Sequence, residues 1–296
     1  MRVVHAVCIS GLTGLLAACG SLQPQPAATQ VIPSSEAALS SSDLLYVSDQ
    51  HTGDVYVYSY PDDRLISTLT GFNGDPEGLC ADHAGNVFVT VQSGSIIEYA
   101  HGGTKPIKTL LDKYYPLACS VDPTTGNLAV ANESGNVSIY PATGPPTLYD
   151  TKLIPEFCAY DPSGNLFVDS SGAPGVRIEE LPKGGNTFQS FNYGGRNNGT
   201  PAGLQWVHRH LAVGDASPYQ RKCCGRIFRL SVNGEQGKRV ATTHIRGEIL
   251  NFFVERSAAI VTTYTHDVVI YDYPSGRLAS TIKEPGENSF GVVVSP

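Results

Sequence analysis

Charged side chains are scarce in this chain, at 16% of 296 residues, and the net charge of −7 comes without any acidic or basic block. A nucleic-acid binder would carry a basic stripe, so nucleic acid is not expected as a partner. Long runs of Ala, Glu, Lys and Leu are missing too, and past the N-terminus no helical period outlasts a turn or two. A helical bundle is thereby excluded, and a TIM barrel would have no helices to set between its strands. No G-x-S-x-G elbow presents a serine nucleophile. The eight His residues show no ligand spacing, and His208-Arg209-His210 reads as a solvated hairpin. The Gly-rich stretch YGGRNNG (193–199) does not sit between a strand and a helix, which makes it a poor phosphate cradle.

What the chain does have is 31 Gly, 20 Pro and 15 Tyr, a composition suited to short strands and tight turns. It also repeats itself. Residues 54–69 (DVYVYSYPDDRLISTL) and 267–282 (DVVIYDYPSGRLASTI) agree at nine of sixteen positions. Between them lie looser copies of one unit: a first strand, a turn, a second strand ending in Val, a loop and a third strand. The first strands are GLCAD (78–82), ACSVD (118–122), FCAYD (157–161), GLQWV (203–207), NFFVE (251–255) and GVVVS (291–295). The valines that mark the second strands fall at 47, 89, 130, 168, 213 and 261, a mean step of about 43. That is the spacing of four-stranded propeller blades.

The register at the two ends predicts how the ring closes. The first copy begins at its second strand, Leu44, whereas the last finishes on a first strand with no successor, Phe290 to Val294. The expectation is an all-β, six-bladed β-propeller over 44–296, closed by the C-terminal strand joining the first blade, which removes the exposed edges of an open ring. HAGN, TTGN and PSGN should supply the turns, with Gly providing positive φ and Asn tolerating it. The pattern Pro-x-Gly-Leu followed by Asp-x-x-Gly-Asn and a Val-terminated strand resembles NHL-type repeats, best in copies two to four. Copies five and six lack the Asp-x-x-Gly-Asn turn.

The first 18 residues combine Arg2, an apolar stretch from Ala6 to Ala18 and small terminal residues. This is a secretory signal, too short to remain as a membrane span. Leu16-Ala17-Ala18-Cys19 resembles a bacterial lipobox, which implies diacylglycerol on Cys19 and a chain anchored by more than one acyl group. Gly20 after that Cys implies an outer membrane if the host has one. Residues 19–43, rich in Ser, Ala, Pro and Gln, read as the lipidated Cys and a flexible tether. The expected address is the extracytoplasmic cell envelope, with the membrane engaged through the lipid.

Two long loops fall on the expected ligand face. Residues 192–202 and 215–226 bring Arg196, Arg221, Lys222 and Arg226 to one rim of an acidic protein, together with Cys223-Cys224. They form the candidate ligand-binding set, for a protein, glycan or small molecule, with no cofactor required. The neighbouring pair Cys223-Cys224 reads equally as a strained rim element or as two thiols with other fates. Cys119 and Cys158 share a slot in successive first strands. Cys80 is displaced by one and faces the other way in the pleat, so all three are expected as core thiols. The alternative is a metal-dependent hydrolase. Its oxygen ligands to Ca²⁺ or another divalent cation would be Glu77, Asn132, Glu156 and Asp215, drawn from different blades. Gluconolactonase-like propellers use a Glu/Asn/Asp centre of this kind, but their surrounding motifs are absent here. The His expected of streptogramin-cleaving lyases has no counterpart either.

Overall fold

In the computed structural model, which describes residues 42–172, 175–194, 199–216, 224–265, 267–283 and 286–296, every repeat forms a four-stranded antiparallel sheet. Blade 1 contains β1 (Leu44–Asp49), β2 (Asp54–Ser59) and β3 (Arg64–Leu69). Blade 2 contains β4 (Pro76–Ala81), β5 (Val87–Val91), β6 (Ser95–Tyr99) and β7 (Pro106–Leu111). Blade 3 contains β8 (Pro116–Val121), β9 (Leu128–Asn132), β10 (Asn136–Tyr140) and β11 (Thr147–Asp150). Blade 4 contains β12 (Cys158–Tyr160), β13 (Leu166–Ser170), β14 (Arg177–Leu181) and β15 (Gln189–Phe191). Blade 5 contains β16 (Pro201–Val207), β17 (His210–Asp215), β18 (Cys224–Asn233) and β19 (Gln236–Arg246). Blade 6 contains β20 (Ile249–Glu255), β21 (Ala258–Thr263), β22 (Asp267–Asp272) and β23 (Arg277–Lys283). The last strand, β24 (Ser289–Ser295), is the innermost of blade 1 and pairs with β1 in the register Leu45↔Val294, Tyr46↔Val293 and Val47↔Val292. The chain is a six-bladed propeller closed by its C-terminal strand.

Burial explains which residues each strand carries. Second strands such as Val87–Val91 are buried at every position, since both faces of each blade pack on neighbouring blades. Outermost strands such as Pro106–Leu111 are almost wholly exposed. Valine, alanine and leucine fill the interior between blades, and polar side chains tie one blade to the next. Thr90 Oγ1 donates to Leu117 O (2.9 Å), Tyr160 N–H to Ser120 Oγ (3.1 Å) and Thr262 Oγ1 to Phe290 O (2.9 Å). Gln205 brackets Val254, donating to its carbonyl and accepting from its amide.

The Gly-Asn turns of copies two to four, that of copy three with one residue more between Asp122 and Gly126, work somewhat differently from expectation. Gly85, Gly126 and Gly164 do take positive φ (82°, 74° and 89°). The asparagines do not; Asn86 and Asn165 instead donate side-chain N–H bonds to Asp82 and Asp161, whose other oxygens accept turn amides. Copies five and six replace this device with two-residue turns in which His208 (φ 56°) and Arg256 (φ 53°) carry the left-handed conformation.

The cysteines require a larger correction. Cys80 and Cys119 form a disulfide (S–S 2.06 Å) between the inner strands of blades 2 and 3. The one-residue offset that separated them in the pleat is what brings them together. Blades stack face to face, so residues that meet across the gap come from opposite faces of their own sheets. Cys158 occupies the Cys119 slot one blade later and faces blade 3, where its Sγ lies 4.0 Å from Ala129 O. It is buried, and burial pushes its thiol up to about 12.

Candidate functional site

Six inner strands, β24, β4, β8, β12, β16 and β20, surround the axis in that order, so β12 and β24 stand opposite each other. At the end where these strands begin, the loop-rich face, Phe157 and Phe290 reach across from those two opposite strands and stack with ring centroids 6.0 Å apart. The positions equivalent to Phe157 are Gly78 on β4, Gly203 on β16 and Gly291 on β24, the last beside Phe290. A Cβ there would collide with the neighbouring Leu117, Asn251 or Glu77, so their lack of a side chain lets the inner strands approach. From the Phe157 level a cavity of about 590 Å³ runs to the opposite face, between turns that include His83, Pro123 and Pro162.

At the loop-rich mouth the four carboxylate and amide residues named from sequence are each engaged separately. Glu77 is buried and accepts a bond from Gln50 Nε2 (2.5 Å). Burial, with Asp75 and Glu133 nearby, pushes its carboxyl up to about 7. Glu156 Oε1 accepts from the backbone N–H (3.0 Å) and hydroxyl (2.7 Å) of Ser171. Asn132, fully buried, donates through Nδ2 to Asn136 Oδ1 (2.9 Å) and Ser138 Oγ (3.0 Å). Asp215, also fully buried, is ion-paired with Arg226 Nη2 at 2.6 Å. Burial raises its pKa, against the pull of Arg226 and Arg239. A cation site needs several oxygens converging on one point. These four do not fit one: Asp215 already faces a guanidinium, and among the described residues no three His, Cys, Asp or Glu side chains converge as metal ligands.

The Asp215–Arg226 pair joins residues that the sequence placed in two rival sites. Arg226 is one quarter exposed and pins β18 to β17 at the base of the 215–226 loop. Cys224, the first residue of β18, is exposed. Arg196, Arg221, Lys222 and Cys223 lie outside the described residues, as does Cys19.

Neither a protein-family model nor a curated protein matches this chain.

Sequence reasoning missed two groups. Asp169 is completely buried at the mouth end of β13; its Oδ1 accepts from Phe157 N–H (2.9 Å) and so positions the residue that closes the axis. Burial first, then Glu156, raises its pKa well above the carboxylate range. An acid inside an otherwise apolar second strand (NLFVDS, 165–170) was the available signal. The second is Asn251 in β20, which is buried and lines the cavity at the same level as Phe157. It stands in a column that holds Gly78, Ala118, Gly203 and Gly291 besides Phe157, and it is the only amide there, a departure visible only once the six copies are aligned by strand register.

Proposed function

We propose that the chain is a lipid-anchored, extracytoplasmic binding module. Its closed propeller would present the loop-rich face of blades 4 and 5 to a protein, glycan or small molecule. The observation that carries this reading is the internal use of the polar groups at that mouth: Glu156, Asn132 and Asp215 hold strands and loops in place, and Arg226 anchors the base of the long loop through Asp215. Such a face is a rigid frame for loops, where recognition is commonly placed. The address has its own support, since the Cys80–Cys119 disulfide suits an oxidising compartment and not a reducing cytosol. Acylation at Cys19 and NHL kinship are parts of the same proposal, resting on the lipobox and the repeat pattern.

Two experiments test it. Growth with labelled palmitate should label the wild-type chain but not Cys19→Ser, and only the former should sediment with membranes; label retained in C19S would remove the anchor from the account. A photo-crosslinking residue at position 221 should capture a partner in intact cells that the same residue at position 83, on the opposite face, does not. Capture from position 83 alone would overturn the choice of face.

A further inference from the structure

The cavity at the axis is distinct from the loop-rich face and opens on the opposite side of the ring. Its volume lies within the range of small-molecule sites, and its walls are mainly apolar: Leu79, Leu204, Phe252, Phe253 and Val293, with the Cys80–Cys119 disulfide set among them. Phe157, stacked on Phe290, closes its inner end.

Most polar groups lining this space already have partners. Ser120 accepts from Tyr160 N–H, and both amide atoms of Gln205 are taken by Val254. Asp82 and Asp161 accept from the amides of their own turns, and Glu255 pairs with Arg256. Asn251 differs. Its residue is only 8% exposed, and its Oδ1 accepts from Phe252 N–H (2.8 Å), which turns Nδ2 to the other side. Among the described residues nothing accepts a bond from that Nδ2. That Nδ2 keeps contact with the solvent of the cavity, and an open donor on a mainly apolar wall is where a ligand's acceptor is received.

We infer that the blind end of the axial cavity is a binding site for a small, uncharged, largely apolar molecule bearing a carbonyl or similar acceptor oxygen, which Asn251 Nδ2 receives at the level of Phe157. Charge argues for the same class. Asp82, Asp161 and Glu255 stand around the opening and repel an anion. A cation driven inward would leave water for apolar walls. The aromatic floor and walls favour a planar body.

The site contains its own reporter, because Trp206 is the only tryptophan of the chain and lines the cavity. The probe is 6-propionyl-2-dimethylaminonaphthalene, a neutral aromatic ketone that accepts energy from tryptophan. N-phenyl-1-naphthylamine serves as a comparison of similar shape without an acceptor oxygen. Both are titrated into the full chain carrying Cys19→Ser, so that no acyl group or detergent competes. The ketone should bind saturably at one site with a Kd in the micromolar range, quench Trp206 by energy transfer, and bind about tenfold more tightly than the amine. Asn251→Asp is isosteric and keeps the acceptor for Phe252 N–H. It should weaken the ketone about tenfold and leave the amine unchanged, while Ala81→Phe on the cavity wall should weaken both. Unsaturable binding, equal affinity for ketone and amine on the unsubstituted site, or an N251D variant that holds the ketone as well as its parent would each overturn the assignment. The two-probe comparison stands even if a variant fails to fold.

Discussion

Removing the Cys80–Cys119 bridge should cost this propeller about 4 kcal/mol. The bridge closes a loop of 39 residues, and the chain-entropy relation gives that figure at 25 °C for a loop of this length. Because the two sulfurs lie on the inner strands of adjacent blades, the bridge confines chain from β4 through β8, a whole blade, in the unfolded state. For a body of this size, a urea m-value of about 3 kcal/mol/M turns the loss into a midpoint lowered by somewhat more than 1 M. The assay is urea unfolding, followed by far-UV circular dichroism, of the wild-type chain and of Cys80→Ala/Cys119→Ala, each with and without reductant. The wild type should fall to the level of the double variant when reduced, and the double variant should not respond. Cys158→Ala should keep the reductant response of the wild type, since that thiol is buried apart from the bridge. A wild-type midpoint indifferent to reductant, with Cys80 and Cys119 reacting as free thiols on unfolding without reductant, would refute the bridge.

Three further outcomes are expected. Glu77 has its carboxyl raised from 4.5 to about 7, so the folded state keeps the proton between those values and stability is lost as pH rises through that window. Glu77→Gln should therefore gain on the wild type between pH 5 and pH 8, by at most about 3 kcal/mol, measured as the difference in urea midpoints; a pH-independent difference would contradict this. Arg226→Met strands the fully buried Asp215 and should cost about 3 kcal/mol, while Asp215→Asn/Arg226→Met should recover most of it in a double-mutant cycle. His208→Gly relieves a left-handed backbone in a two-residue turn and should stabilise the chain by about 0.5–1 kcal/mol, read as a raised thermal midpoint.

The architecture was open to sequence reading because propeller blades impose a period, and a period survives substitution. The valines at 47, 89, 130, 168, 213 and 261 each lie in a second strand, and the unpaired first strand at the C-terminus pairs with β1 as its register required. What the repeat did not convey is how blades meet. Cys80 and Cys119 were judged by the pleat of a single sheet, where opposite faces mean separation; in a ring of stacked sheets opposite faces of neighbours touch. The same limit hid Asn251, whose meaning depends on five counterparts from other blades around one axis. The Asp215–Arg226 pair was missed because both partners had been assigned by residue type to rival sites, although register sets them directly opposite across β17 and β18. The turns of copies five and six carry no Gly-Asn signal, since His208 and Arg256 adopt that backbone conformation without it.

Closure of the ring is most directly tested by amide hydrogen exchange across the two chain ends that meet in blade 1. Amides of Val292 to Val294 should be protected to the same degree as those of Leu45 to Val47, which they face, and the two segments should open together. Exchange of 289–295 at the rate of an unstructured peptide, with 44–49 still protected, would contradict a propeller sealed by its last strand.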